Sequence, residues 1–565
     1  MSADNLAQAI GRRFDQLKKW RRPWEPVWEE LVDFVYPERE FNFKQGESSS
    51  SASPHGQNSK SKRIGEKIFD GSPIAAAQLW SDGIMGQLYS PPLQWYAPAF
   101  ANRRLSEIPE AAEWAQEVQS VMFAAFERSN FYDATPMMMM DGVSIGTAIQ
   151  LVTEDVADKS IVFNVRHPLE CYIAENFNGK VDTVFRRFEM TFREVVQQWP
   201  EGNFSKSVLE GAQKNPYDKV AIIHAVFPKD ETEIGELASG NKKPFASVYK
   251  EEKENDEIIS IGGFKAFPYV VWRYSTNSGE VYGSSPAQRA LVDIRAVNAI
   301  SETMLDAAHI AARPAYNVPM EQRGRVRIVP NGMNYYEDDP DRVITPVRTG
   351  IQYPIGIDQE ERRRALIREH FKVDFFLLLA QTQGRSMTAT EVMELQSEKA
   401  AILGATIGRL NSEYGDPVLE RVFQIEKDAG RLPPVPPKLA RFAGEDIRFD
   451  YLGPLAQAQK RLVNSQGAIR SLQSIEGILA MQPDVADSID FDALTRLIFD
   501  THGMPARVLR NPEEVAAMRQ ERAEAAAKQA QLDQMEQAAN VVPKMSKAPE
   551  PGAPIEALQK ALGGG

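Results

Sequence analysis

Apolar positions recur with a helical period along two long stretches in the middle of the chain. The first stretch follows Ser285-Pro286, where Ser285 suits the helix cap and Pro286 suits the first helical position. No breaker interrupts residues 286–312, so we predict a helix of about 40 Å there. The second stretch, residues 358–380, opens with acidic residues and closes in a segment that is apolar on all sides. An insert of residues 313–357 separates the two.

The composition of the first helix predicts close packing against other helices. Alanines let neighbouring backbones approach, and aliphatic residues form an apolar stripe between polar positions. The insert is too short to cover a rod of this length. Two interpretations follow, an ordinary core hairpin in a large monomer or copies of the chain packed side by side. The residues concerned are Ala287, Ala290, Ala296, Ala299, Ala307, Ala308, Ala311 and Ala312, with Leu291, Ile294, Val297, Ile300, Met304 and Leu305.

Helical patterns also dominate most of the remaining chain. Residues 64–88 and 108–128 have helical periodicity, as does the N-terminal segment around breaks at Pro23 and Pro26. Between residues 149 and 274 the pattern changes to short runs rich in β-branched and aromatic residues. We therefore predict an α+β, mainly helical protein with a mostly antiparallel sheet. The N-terminal stripe, expected in the core, comprises Phe14, Leu17, Trp20, Trp24, Trp28 and Leu31.

The second long helix is followed by a break, at residues 381–387. A Thr388 to Glu391 capping box restarts the helix, and Pro417 should kink it. A proline-rich connector, residues 432–437, precedes further helices, and a charged, alanine-rich helix is predicted over residues 513–539.

Length, charge and cysteine content restrict the class of protein. A chain of 565 residues with 43% hydrophobic residues should form more than one domain. No apolar run approaches the roughly 20 residues that a membrane span needs, so no membrane partner is expected. One cysteine, Cys171, excludes an intrachain disulfide and favours a reducing compartment. A net charge of -13 argues against a protein that coats nucleic acid, although not against one past which DNA slides.

Catalytic and cofactor signatures are absent from the sequence. There is no phosphate-binding GxxxxGK[ST] loop, which argues against a packaging ATPase, and no HExxH motif or Cys/His cluster. The segment from Gly142 to Gly146 matches the G-x-S-x-G nucleophile elbow, which requires a strand before the serine and a helix after it. Here the flanking patterns predict the reverse order. We therefore expect no enzyme, no cofactor and no metal.

Several short motifs follow one another in a specific order along the chain. They are Trp20 to Pro37 (WRRPWEPVWEELVDFVYP), Phe69 to Pro73 (FDGSP), Gly83 to Leu88 (GIMGQL), Pro91-Pro92 with Trp95, Tyr282 to Pro286 (YGSSP), Thr388 to Val392 (TATEV), and Glu413-Tyr414 with Pro417 and Glu420-Arg421. Each motif is weak alone, and the ordered set is specific. With these motifs the chain resembles the portal, or head-to-tail connector, proteins of short-tailed, podovirus-type bacteriophages, over most of residues 10–430.

The resemblance implies a portal fold that assembles as a ring, usually a dodecamer, around a central DNA channel at one capsid vertex. The implied partners are other copies, double-stranded DNA without sequence specificity, terminase, the tail adaptor, and the capsid and scaffolding proteins. Such a protein is assembled in the host cytoplasm and resides in the virion. The implied regions are wing (1–285), stem helix 1 (286–312), clip (313–357), stem helix 2 (358–380), tunnel loop (381–387), wing with its kinked helix (388–455), crown (456–510), and C-terminal helix with flexible tail (511–565).

The resemblance also suggests which residues face DNA. A conduit should hold few phosphates, and only one residue of the proposed tunnel loop is charged. That loop is alternatively a simple linker between helices. A denser basic patch on stem helix 2 is a second candidate, although Glu360 and Glu369 lie within helical pairing distance of it. The tunnel-loop candidates are Gln381, Thr382, Gln383, Gly384, Arg385 and Ser386, and the basic candidates are Arg362, Arg363, Arg364 and Arg368.

Two other classes stay open at this point. A tail adaptor or scaffold would share the lack of catalytic residues, although the chain length and the helix, insert, helix order count against both. An enzyme of unknown type would need convergent titratable groups, which a sequence does not display.

Overall fold

A computed structural model gives the architecture of much of the chain. The residues that it describes are 3–39, 67–92, 94–100, 108–229, 243–252, 257–312, 316–317, 345–346, 353–381, 403–436, 447–452 and 512–545.

The described helices follow much of the sequence pattern, although the helix predicted over residues 64–88 begins only at Ser72. The long helix α8 begins at Pro286 as predicted, because Ser285 caps it, and it extends to Ala312. In order, the helices are α1 (Ala3–Arg21), α2 (Glu25–Val35), α3 (Ser72–Leu88), α4 (Pro109–Arg128), α5 (Phe131–Ser144), α6 (Phe192–Gln198), α7 (Lys206–Lys214), α8 (Pro286–Ala312), α9 (Tyr353–His370), α10 (Val373–Gln381), α11 (403–410), α12 (Asp416–Asp428) and α13 (Pro512–Met545).

All described strand pairs are antiparallel, which agrees with the predicted sheet type. The sheets have the orders β3-β2-β9, β4-β5-β6-β7-β8, β1-β12 and β10-β11. The strands are β1 (Tyr96–Phe100), β2 (Thr147–Asp155), β3 (Ser160–Arg166), β4 (Cys171–Glu175), β5 (Val181–Thr191), β6 (Lys219–Pro228), β7 (Phe245–Glu251), β8 (Ile258–Phe264), β9 (Tyr269–Arg273), β10 (Tyr316–Asn317), β11 (Thr345–Pro346) and β12 (Ile447–Tyr451).

The five-stranded sheet is covered on both faces. Because side chains alternate along a strand, Phe185 points to the face that α1 covers, and Phe188 points to the other face, where α6 and α7 lie. The largest core joins α2 to α5 with the three-stranded sheet, the lower part of α8, and α9 to α12. The base of α8 is therefore packed inside the main core.

The N-terminal stripe forms the expected core with one exception. Helix α1 ends at Arg21 and α2 begins at Glu25, so the predicted proline break is confirmed. Trp28 is fully buried, but Trp20 is 48% exposed and lies beside the Arg13 guanidinium. The expectation that Trp20 belongs to the core was wrong, since Trp20 lies in the last turn of α1, just before the break, where the described part of the chain leaves about half of it exposed.

The prediction of one continuous second helix over residues 358–380 was wrong. Helix α9 starts earlier, at Tyr353, and the rod is divided by Phe371 and Lys372. Lys372 has a φ of 56°, so its backbone is left-handed and ends α9 before α10 begins. The amide of Lys372 donates to the carbonyl of Glu369, as expected of a helix end. The apolar closing segment therefore forms a separate helix, α10.

The later helix is irregular where Pro417 predicted a kink. Residues 403–410 are α-helical, Asn411–Gly415 form a π-helical turn, and α12 follows. Proline lacks the amide that a regular helix would use, and a wider turn before it accommodates that loss. The proposed crown, residues 456–510, lies outside the described residues, and within the proposed clip only β10, β11 and the start of α9 are described.

Candidate assembly and channel site

The start of α8 is held by a close contact between two chain segments. The amide of Gln288 donates to the Ser285 hydroxyl (2.9 Å), and that hydroxyl donates to the carbonyl of Ser144 (2.8 Å). Gly146, at φ +99°, approaches Gly283 so closely that a Cβ atom on Gly146 would lie 2.4 Å from the Gly283 carbonyl oxygen. The base of α8 is thus fixed by backbone proximity.

The same contact accounts for the G-x-S-x-G match. The order is helix α5 followed by strand β2, as predicted, which is the reverse of a nucleophile elbow. Ser144 is fully buried, and Gly142 leaves room for the ring of Trp272, since a Cβ atom there would lie 2.0 Å from that ring. The motif is therefore a packing and anchoring segment.

Arg273 joins four parts of the chain beside this contact. Its buried guanidinium donates to Glu413 (2.8 Å), Glu175 (2.7 Å) and the carbonyls of Val281 and Gly179. Burial alone would lower the pKa of Arg273, but the hydrogen bonds to Glu413 and Glu175 raise it. Sequence analysis missed Arg273, because its partners are distant in sequence and no local pattern connects them.

Helices α8 and α9 form an antiparallel hairpin above this base. The Ser301 hydroxyl donates to Glu360 (2.7 Å), and nearer the base Arg363 forms an ion pair with Asp293. His370 Nε2 lies 3.9 Å from the other oxygen of Asp293. These contacts fix the relative height of the two helices.

Three apolar residues of α8 are exposed. Val292 is 69% exposed, Leu305 48% and Ile310 43%. A shallow groove of about 280 Å³ lies on the same helix, and Ala299, Ile300, Thr303 and Met304 line it. Helical spacing places Val292 and Ile310 on the side of Ala299 and Thr303, whereas Leu305 projects from a different side.

Three of the four candidate arginines are paired within the chain. Arg363 contacts Asp293, Arg364 contacts both Asp70 and Glu360, and Arg368 lies 3.4 Å from Glu361. Arg362 is exposed and forms no ion pair with the part of the chain that the structure describes.

Asp70 was not predicted as a partner of this patch, because it lies in a separate segment of the sequence. Burial disfavours its charged form, yet hydrogen bonds from Ser72 and Arg364 hold the pKa of Asp70 below its usual value. The amides of Phe69 and Asp70 both donate to the side chain of Asn298, on α8. Residues 69 and 70 therefore connect to both helices of the hairpin.

Helix α10 leads directly into the proposed tunnel loop. Its Phe376 ring packs on Gly83 of α3, where a Cβ atom would lie 2.2 Å from the ring. Gln381 is the last residue of α10, whereas Thr382, Gln383, Gly384, Arg385 and Ser386 lie outside the described residues.

Within the described ranges, no helix is long and apolar enough to span a membrane, and no group of His, Cys, Asp and Glu is arranged to hold a metal.

Comparisons with known proteins identify the family of the chain. A sequence profile of the family described as bacteriophage head to tail connecting protein matches residues 7–509. The portal protein of Salmonella phage epsilon15 is 28% identical over 548 residues, which cover 94% of this chain and 93% of that protein. The probable portal protein of Bordetella phage BPP-1 is 26% identical over 532 residues, which cover 92% of each chain. Since the profile spans most of the chain, the protein belongs to the bacteriophage head to tail connecting protein family.

Proposed function

We propose that the protein is a portal, a ring of identical copies at one vertex of the capsid. The ring, expected to be a dodecamer, provides the channel through which the genome is packaged and later ejected. Terminase docks on it first and the tail adaptor afterwards, and the capsid and scaffolding proteins surround it. The family assignment and the names of the two phage relatives support this proposal. The proposed role is structural, without catalysis.

The observation that carries the proposal is the set of exposed apolar residues on α8. Val292, Leu305 and Ile310 are substantially exposed on a helix whose base lies in the main core. Leaving apolar area in water is unfavourable by roughly 25 cal/mol per Å², and a neighbouring copy would remove that area from water. Packing between copies therefore explains a surface that a monomer leaves unfavourably exposed.

Ion pairs within the chain support one assignment of the DNA-facing residues. In our proposal α8 to α10 form the stem, and residues 381–386 form the loop that faces DNA. Arg363 and Arg364 are engaged by Asp293 and Asp70, which reduces their ability to hold phosphates. This suits a conduit, because each phosphate neutralised by a free cation adds affinity and slows passage.

The ring is tested by microscopy and light scattering of the purified chain and of one matched pair of variants. Ala299→Arg places a charge in the α8 groove and should block ring formation. Val156→Arg places the same charge on a residue that is 79% exposed between β2 and β3, and should leave rings intact. Circular dichroism checks that both variants fold. A wild-type particle of 63.2 kDa at every concentration would contradict the proposal.

The loop is tested separately. Deletion of residues 381–386 should leave rings intact and reduce DNA packaging or retention, because the proposed loop touches DNA and not neighbouring copies. Unchanged packaged DNA in phage carrying the deletion would remove the proposed role of the loop.

A further inference from the structure

The groove on α8 has an apolar floor and an acidic edge. Glu302 follows Ala299 by three residues and Asp306 follows Thr303 by three, so each carboxylate lies one turn along the same side of the groove. Both carboxylates are exposed, and neither forms an ion pair or hydrogen bond within the described part of the chain. A long aliphatic side chain that ends in a cation fits such a surface, because its stem covers the floor while its charge reaches the edge.

One arginine of the hairpin is available for this role. Within the described helices α8, α9 and α10, Arg295 is engaged by Glu30, Arg289 donates to Ser275, and the other arginines of α9 have partners. Arg362 is exposed and has no partner in the same helices.

The groove and Arg362 lie at a similar height along the hairpin of α8 and α9. Ser301 contacts Glu360 across the antiparallel hairpin, and Arg362 follows Glu360 by two residues. Arg362 is therefore level with Ala299 at the groove, and Glu302 and Asp306 lie about 4.5 Å and about 10.5 Å further along α8. In a ring whose axis runs along the hairpin, rotation carries every residue to the same height in the next copy.

We infer that Arg362 of one copy lies in the α8 groove of the next copy and pairs with Glu302, while Asp306, one turn further along α8, adds to the attraction. This inference rests on the proposed ring and identifies its contact. Since the groove is on α8 and Arg362 is on the exposed side of α9, the contact joins two different surfaces, and contacts of that kind form a ring when the rotation between copies closes. Arg362 is thereby assigned to assembly and not to phosphate binding.

Charge reversal on each side of the contact provides the test. In Glu302→Arg/Asp306→Arg both surfaces are basic, and in Arg362→Glu both are acidic. Each variant should need an about tenfold higher concentration to form rings than the wild type, because the reversed pair repels at every contact. Raised salt should reduce the difference. The triple variant Glu302→Arg/Asp306→Arg/Arg362→Glu should assemble within about twofold of the wild type, because the attraction is restored.

Mixing the two reversed variants gives a sharper result. Each variant's surfaces repel those of its own copies and attract those of the other variant. Co-expression should therefore yield rings in which the two alternate, so an affinity tag on one variant should recover the other in an equal amount by native mass spectrometry.

Two outcomes would contradict the inferred contact and leave the proposed ring unaffected. If both reversed variants form rings like the wild type, the contact is not made by these residues. If Arg362→Glu assembles normally but retains less DNA, the partner of Arg362 is DNA. Failure of the wild type itself to form rings would instead contradict the proposed function.

Discussion

Polar groups at the base of α8 and polar groups on its upper part differ in whether the described chain provides their partners. At the base, the Ser285 hydroxyl both donates and accepts, and the Arg273 guanidinium is surrounded by acceptors from distant segments. Higher up, Glu302 and Asp306 lie exposed beside an apolar groove, without partners in the described chain. The base is completed by the chain's own residues, whereas the upper flank offers contacts that another molecule can complete. Variants at the base should therefore affect folding, and variants on the flank should affect assembly.

The largest expected effect is the loss of Arg273. Arg273→Met leaves Glu413 and Glu175 without their buried cation, which should lower the free energy of unfolding by about 3–5 kcal/mol. The matched control is Arg295→Met, which removes an ion pair between Glu30 and a side chain that is 54% exposed, and should cost less than about 1 kcal/mol. Urea unfolding measures both, and equal losses would contradict the assignment of Arg273 as the link at the base.

A second pair of variants separates the effect of a steric clash between two segments from the cost of a side chain at positive φ. Gly146→Ala and Gly179→Ala both place a side chain at positive φ, which costs about 1–2 kcal/mol. Only at Gly146 does the new Cβ atom meet another segment, the backbone of Gly283. Gly146→Ala should therefore lower the thermal midpoint clearly more than Gly179→Ala. Indistinguishable melting curves would show that the contact between residues 146 and 283 tolerates expansion.

Two glycines of α3 give opposite predictions for stability, because Gly83 contacts α10 and Gly86 does not. Gly83→Ala forces the Phe376 ring away from α3 and should be destabilising by about 1–3 kcal/mol, as expected of overpacking. Gly86→Ala meets nothing within 4 Å and should stabilise the helix by up to about 1 kcal/mol. Calorimetry measures the change in stability of both variants. A stabilised Gly83→Ala would exclude the packing of Phe376 on Gly83.

The smallest expected effect concerns Asp70 and depends on pH. Asp70→Asn loses the charge that faces Arg364 and should reduce stability by about 1 kcal/mol at neutral pH. Because folding lowers the pKa of Asp70, its contribution is present above the unfolded pKa of about 3.9 and is lost as the pH falls through the folded pKa. The difference between variant and wild type should therefore shrink below about pH 4. A constant difference down to pH 2 would contradict the ion pair.

The features predicted correctly are those that depend on residues adjacent in sequence. Ser285 and Pro286 marked the start of α8 correctly, since capping depends on a few adjacent residues, and the order around Ser144 excluded the nucleophile elbow for the same reason. The break at Lys372 was missed, because lysine carries no left-handed preference and the turn is stabilised by the burial of Phe375 and Phe376.

Pairing across the fold was the least predictable part of the site. Glu360 was correctly considered as a partner within α9, and it contacts Arg364. Asp70 and Asp293, which engage Arg364 and Arg363, come from other elements, so helical spacing gave no signal for them. The tunnel-loop residues 382–386 lie outside the described residues, and their role stays a prediction.

The burial of Cys171 has a practical consequence for measuring the proposed contact. Its side chain is fully enclosed in β4, and burial raises the pKa of its thiol to about 12, so little reactive thiolate is present at neutral pH. A fluorescent or spin probe coupled to Val156→Cys, at a position that is 79% exposed and lies outside the groove, would consequently report from one position in each subunit. Energy transfer between probes would then follow subunits as they join, without first removing any native sulfur.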